Sequence, residues 1–197
     1  MIYFANPKSE YIFLKKKINK KINDVLNSNS YILGNEVRQF ENRFSKYLGL
    51  KYSVGVSNGT DALILSLKAV NIKKGDEVIT TSHTAYATIA AIVEAGAKPV
   101  FVDIKEDDFN MNSAELKKKI TKKTRAIIIV HLYGNPADIV EISKVAKKNK
   151  VYLIEDCSQA HGAEFNKKKV GTFGDLSCFS FYPTKNLSTF GDAGIVC

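Results

Sequence analysis

Asp156 and Lys185 are an acid and an amine, each standing where an apolar run gives out. Val151-Tyr152-Leu153-Ile154 is apolar and partly β-branched, the pattern of a buried strand. It stops on Glu155 and Asp156 and continues as Cys157-Ser158-Gln159-Ala160-His161-Gly162-Ala163. A second strand-like run, Leu176 to Phe181, leads into Tyr182-Pro183-Thr184-Lys185-Asn186. A carboxylate at the C-terminal tip of one strand and a lysine just past another put opposite charges at one sheet edge. In an open α/β sheet that edge binds ligands. Lysine is the natural covalent anchor for an aldehyde cofactor, and a buried carboxylate is the natural partner of a pyridinium nitrogen. Each also has a plainer reading: Asp156 as a helix-capping acid after a strand, Lys185 as one surface charge among many.

Three further stretches fall at strand ends. Ser57-Asn58-Gly59-Thr60-Asp61-Ala62-Leu63 joins a strand to a helix. A helix N-terminus presents unpaired N–H groups to an anion, and Gly59 allows backbone to approach it closely. The alternative is an N-cap by Ser57 or Asn58 with Asp61 complementing the dipole. His83-Thr84-Ala85-Tyr86-Ala87-Thr88 follows the second strand and is expected to face the same pocket. His131-Leu132-Tyr133-Gly134-Asn135 ends another strand at that edge and reads as pocket wall, with Gly134 there for backbone geometry.

The elements that must hold these residues alternate. Residues 8–28 carry apolar side chains at helical spacing, and Glu36 to Leu48 is a second amphipathic helix that stops at Gly49. Seven strand-like runs follow, at Tyr52–Val56, Glu77–Thr81, Pro99–Asp103, Ala126–Val130, Val151–Glu155, Leu176–Phe181 and Ala193–Cys197. Helical stretches at Thr60–Val70, Tyr86–Ala95, Ser113–Lys119 and Pro136–Lys148 lie between most of them. Such alternation predicts βαβ units and a mostly parallel seven-stranded sheet flanked by helices, a three-layer α/β/α sandwich. The last run follows its predecessor closely, so it is the candidate for an antiparallel strand. Residues 1–50 are expected to form a helical segment packed on a domain spanning 51–197.

Composition narrows the class. With 45% hydrophobic and 25% charged residues, the 197-residue chain reads as an ordinary globular protein with one sizeable core. No run is apolar enough to span a bilayer, and MIYFANPKSEY lacks the apolar core of a signal peptide, so a cytoplasmic protein is expected. Cys157, Cys178 and Cys197 have no C-x-x-C spacing and suggest reduced, mostly buried thiols, with no metal site. The net charge of +9 comes mostly from scattered lysine clusters without an aromatic platform. It describes a solvated surface better than a nucleic-acid groove, and could attract an anionic substrate.

EDCSQAHGA, SFYPTKNL, GDAGIV and SNGTDAL together resemble the signature of the DegT/DnrJ/EryC/StrS family of pyridoxal-phosphate (PLP) sugar aminotransferases. The resemblance runs from the first residues to Cys197, while family members are usually much longer. It implies the large domain of a fold type I PLP-dependent transferase, without the C-terminal small domain, and with one reversed strand in seven. It implies PLP as cofactor, with Gly59, Thr60 and Ser180 at its phosphate, Asp156 at the pyridine nitrogen and Gln159 beside the phenolic oxygen. Lys185 would be the covalent anchor and proton carrier, and lysine where related dehydratases carry histidine argues for transamination. Position 85, often an aromatic that stacks on the cofactor, is Ala85 here, with Tyr86 or His83 as possible substitutes. His161 belongs to the same signature and is expected to make a supporting hydrogen bond. The implied reaction moves an amino group from an amino-acid donor such as glutamate to a nucleotide-linked keto-sugar, in a homodimer, for surface polysaccharide or glycoside assembly. The alternative is a truncated fragment that binds PLP or pairs with another subunit without turnover. A nucleic-acid-binding regulator is favoured by the charge alone.

Overall fold

The computed structural model describes residues 5–197. Helix α1 (Pro7–Asn27) starts with proline in its first turn behind the capping side chain of Asn6, which accepts from the Ser9 N–H. None of its side chains is buried. Helix α2 (Asn35–Leu48) ends on left-handed Gly49 and sinks Phe44 and Leu48 into the core.

The sheet strands are β1 (Val54–Val56), β2 (Glu77–Thr81), β3 (Lys98–Val102), β4 (Thr124–Val130), β5 (Tyr152–Asp156), β8 (Leu176–Ser180) and β9 (Gly194–Val196). A two-stranded hairpin, β6 (Glu164–Phe165) with β7 (Lys168–Lys169), sits between β5 and β8. Helices α3 (Gly59–Ala69), α4 (Tyr86–Glu94), α5 (Ser113–Lys119) and α6 (Ile139–Asn149) make the crossovers. The order across the sheet is β1-β9-β8-β5-β4-β2-β3. Strand β9 runs antiparallel to both neighbours, and the other pairings are parallel. The seven expected runs are thus the seven strands, and the last is the reversed one. The expected start of the fourth crossover helix, Pro136, is three residues early, because Asp138 caps α6.

Alternation along the strands sorts the core into layers. Ala126, Ile128 and Ile154 face α3 and α4, packing on Ala62, Leu63, Leu67, Ala91 and Ile92. Ile127, Ile129 and Leu153 face the other way, onto Leu116, Ile139 and Ile142 of α5 and α6. The same period of two sends the adjacent acids of β5 apart, Asp156 to the side of Ile154 and α4, Glu155 to the other. A third cluster joins α2 to β8, with the Phe44 ring edge-on to Phe179 at 4.9 Å and to Phe181 at 5.5 Å between centroids.

Candidate active site

The parallel strands all end at one edge, and a cavity of about 470 Å³ opens there. Its wall is drawn from the ends of five of the six parallel strands, all but β3: Gly59 and Thr60 after β1, Thr84 and Ala85 after β2, and Val130 at the end of β4. Asp156, Ser158 and Gln159 come from the end of β5, and Ser180, Tyr182 and Lys185 from the end of β8. Asp192, just before the reversed β9, closes the ring. All seven candidate residues named from the sequence, Gly59, Thr60, Ala85, Asp156, Gln159, Ser180 and Lys185, therefore meet on one wall. Asn58, Ser158, Tyr182 and Asp192 join them without having been singled out for the site.

At one end of the cavity is the N-terminus of α3. Asn58 caps it, its Oδ1 accepting from the Asp61 N–H at 2.8 Å while its Nδ2 donates to Asp61 Oδ2 at 3.2 Å. The capping reading is thus satisfied by Asn58, and the cap leaves the first-turn amides facing a cavity. A methyl group on Gly59 would lie 2.7 Å from Ser180 Cβ and 3.3 Å from Ser158 Oγ. Glycine is needed for this close approach, and it brings a helix N-terminus and two hydroxyls to one point, the donor set an anion requires.

Asp156 is buried beneath the cavity. Its Oδ1 accepts from the Ser158 N–H at 3.1 Å and its Oδ2 from the Thr88 hydroxyl at 3.0 Å. Gln159 is oriented by the backbone opposite, since its Oε1 accepts from the Tyr133 N–H at 3.0 Å. That bond leaves the amide hydrogens of Gln159 for the cavity. The segment expected as pocket wall, His131 to Asn135, does not itself line the cavity; it lies behind Gln159, on a turn in which Tyr133 holds a left-handed backbone (φ 56°) and Gly134 follows at φ 79°. Lys185 is half-buried, on a turn closed by its own N–H donating to the Tyr182 carbonyl at 2.8 Å. Among the described residues its amine makes no ion pair.

Three expectations come out differently. Tyr86 projects into solvent and is not part of the cavity wall. His83 packs beside Phe109 and Tyr133, at 6.2 and 6.0 Å between ring centroids, so neither residue stands in for an aromatic at Ala85. Tyr182 is the aromatic that lines the cavity. His161 makes no well-formed hydrogen bond: both ring nitrogens are shielded from solvent without a partner in good geometry among the described residues, and the Ser180 backbone is the group placed to accept from the ring. The ring instead packs against Phe179 and Phe181, and burial, with the nearby Lys185 charge, pushes its imidazole down to about 4.

Beneath the wall lies a buried pair absent from the sequence reading. Glu155 is fully buried and accepts from His131 Nε2 at 3.1 Å and from the Gly171, Phe173 and Gly174 amides at 2.7 Å each. His131 Nδ1 accepts from the Ala137 N–H at 3.1 Å, which assigns the ring proton to Nε2. Burial alone would raise the Glu155 carboxyl. The His131 bond and the amides outweigh it and hold the carboxyl below its ordinary value. Cys157 lies beside this pair, but burial pushes its thiol well up, and the ring and carboxylate lone pairs are already taken. Glu155 and His131 form a structural clamp that ties β5 and the end of β4 to the turn at 171–174. All three cysteines are free, and the Cys197 thiol is likewise pushed up by burial, to about 12.

A twisted, mostly parallel seven-stranded sheet with one reversed strand and a lysine and an acid at its ligand edge is the large-domain plan of a fold type I transferase. Residues 13–197 match the model of the DegT/DnrJ/EryC1/StrS aminotransferase family, and the chain belongs to that family. It is 46% identical over 183 residues to a UDP-N-acetyl-3-dehydro-alpha-D-glucosamine 3-aminotransferase of Acidithiobacillus ferrooxidans, covering 93% of this chain and 50% of that protein. Among solved structures it is similar to DesV of S. venezuelae, with a TM-score of 0.97 and 40% identity, covering 99% of this chain and 53% of that one. It is also similar to the GDP-4-keto-6-deoxymannose-3-dehydratase ColD, with a TM-score of 0.85 and 35% identity, covering 90% of this chain and 47% of that one. The chain spans about half the length of the relatives it matches.

Among the described residues, no helix is long and apolar enough to cross a membrane.

Proposed function

We propose that this chain is the cofactor-binding part of a PLP-dependent aminotransferase that moves an amino group from an amino acid such as glutamate to a nucleotide-linked keto-sugar. The observation that carries the reading is the arrangement of Asp156, Lys185 and the N-terminus of α3 around one cavity. The residues fit the cofactor: the cradle at Gly59 that a methyl group would fill suits a phosphate, and Asp156, with both oxygens already accepting, suits a protonated ring nitrogen. Residues 1–50 then form a helical segment packed on a PLP-binding domain spanning 51–197.

Bound there, PLP supplies an aldehyde that takes up the amino group and a ring that accepts electrons from the substrate carbon. The Gly59 and Thr60 amides and the Ser180 hydroxyl bind the phosphate. Asp156 holds a proton at the ring nitrogen, and the Gln159 amide hydrogens favour negative charge on the phenolic oxygen. The Lys185 Nζ would hold the cofactor at its aldehyde carbon and, when free, would serve as the base that moves a proton between cofactor and substrate. Lysine at this position favours amination over the dehydration performed by ColD.

Homodimer formation, by analogy with the family, is consistent with the apolar side chains left exposed on α1 and at Phe190. The free cysteines, two of them buried, are consistent with the cytoplasm, and assembly of a surface polysaccharide or glycoside is the role this substrate class suggests. The test is a half-reaction. PLP-loaded protein mixed with glutamate should form 2-oxoglutarate and then aminate a UDP- or dTDP-linked keto-sugar. PLP binding without either half-reaction would instead support the non-catalytic alternative.

A further inference from the structure

Thr88 does not line the cavity, yet it is fully buried under it with its hydroxyl donating 3.0 Å to Asp156 Oδ2. A second hydroxyl, Thr84 Oγ1, lies 2.8 Å from Thr88 Oγ1 and does line the cavity. A hydroxyl has one proton to give, and an ionised carboxylate only accepts. Thr88 therefore spends its proton on Asp156, and the proton between the two threonines must come from Thr84. The order is fixed as Thr84 to Thr88 to Asp156.

Neither hydroxyl is doing the ordinary work of its position. A threonine just before a helix usually caps it, but α4 is capped by Ala85 with no side-chain bond. A threonine inside a helix usually bonds the carbonyl one turn back, yet the Thr88 hydroxyl reaches across to β5. With the Ser158 N–H on Oδ1, the carboxylate is gripped from two sides and cannot turn about its own bond.

We propose that Thr88, backed by Thr84, is a positioning residue that orients Asp156 toward the cofactor's ring nitrogen and keeps the shared proton on that nitrogen. This rests on the reading of Asp156 given above. The physics is that of a polarised chain: a donor that itself accepts a hydrogen bond donates more strongly, and density drawn from Oδ2 is density not spent on holding a proton. The sheet fixes one end of the chain and α4 the other, so the aim of Asp156 depends on the docking of α4.

The test uses protein loaded with PLP labelled with nitrogen-15 in the ring, reading the ring resonance and the PLP dissociation constant. Wild type and Thr88→Ser, which keeps the hydroxyl, should share a protonated-ring resonance and a common dissociation constant. Thr88→Val should move the resonance toward the unprotonated position and weaken PLP binding on the order of tenfold, the scale of one hydrogen bond to a charged group. Thr84→Val should shift both readouts the same way by less, and the double variant should be no worse than Thr88→Val alone, because the two act in series. Should Thr88→Val fail to fold, Thr84→Val against wild type carries the same comparison. Val variants indistinguishable from a protonated wild type, or effects that simply add, overturn the relay while leaving Asp156 in its role. An unprotonated ring in wild type overturns the reading of Asp156, and the relay with it.

Discussion

Gly59 is the residue at which geometry is least forgiving. Its backbone lies against Ser180, on a buried strand end that cannot retreat, so a methyl group there must push the α3 N-terminus away from the cavity. Gly59→Ala is expected to weaken PLP binding by about tenfold or more, since overpacking at a rigid contact costs about 1–3 kcal/mol. An absorbance titration with PLP checks this, and an unchanged dissociation constant would remove Gly59 from the phosphate site. At this scale the sequence was informative wherever a functional residue sits beside its strand. Asp156 closes an apolar run, and Lys185 follows one by a few residues. It was silent wherever a residue acts through a distant partner. Nothing local marks Thr88 as a neighbour of Asp156, or Tyr133 as the backbone that turns Gln159, because those pairings exist only once β4, β5 and α4 are docked. The stacking position shows the opposite limit: Ala85 could be read as a departure, but which aromatic borders the cavity instead, Tyr182, depended on the fold of a different loop.

At the scale of elements, the period of two along β5 does the sorting. Asp156 faces the cavity side with α4, while Glu155 is committed to the opposite layer, where it ties the Gly171–Gly174 turn and His131 to the strand. Through His131 and the turn that follows, the same carboxylate steadies the Tyr133 N–H that holds Gln159. Glu155→Gln puts an amide donor among donors. It should cost about 3–5 kcal/mol of stability, the scale of breaking a buried, fully bonded charge. The pH dependence has a definite sign. The folded carboxyl is held below its ordinary 4.5, so its stabilisation is complete above that value and is lost as pH falls through the lower, folded one. Urea melts of wild type and Glu155→Gln should therefore differ most near neutral pH and converge in acid. A gap that persists in acid would mean that the charge is not what matters. From sequence Glu155 is only part of an acidic strand end, because four donors converging from two distant segments have no sequence signature.

Across the whole molecule, the site is a consequence of topology. Residues about 130 positions apart, Gly59 to Asp192, reach one cavity because every parallel strand ends on the same edge and the reversed β9 begins there. That plan was legible in strand–helix alternation and in the short link before the last run. The hairpin β6–β7 was not, being two residues a side and lacking any periodic pattern. Exposed apolar side chains stand on α1, at Ile12, Phe13, Ile22 and Leu26, and on the turn that follows it, at Ile32 and Leu33. What binds the scales together is the claim that this edge holds PLP on the Lys185 amine. Borohydride reduction of the PLP-loaded chain, followed by peptide mass mapping, tests it most directly. A single cofactor-derived increment on the peptide containing Lys185, absent from Lys185→Ala, is the predicted result. An increment on another lysine, or none on a chain that has bound PLP, would contradict it.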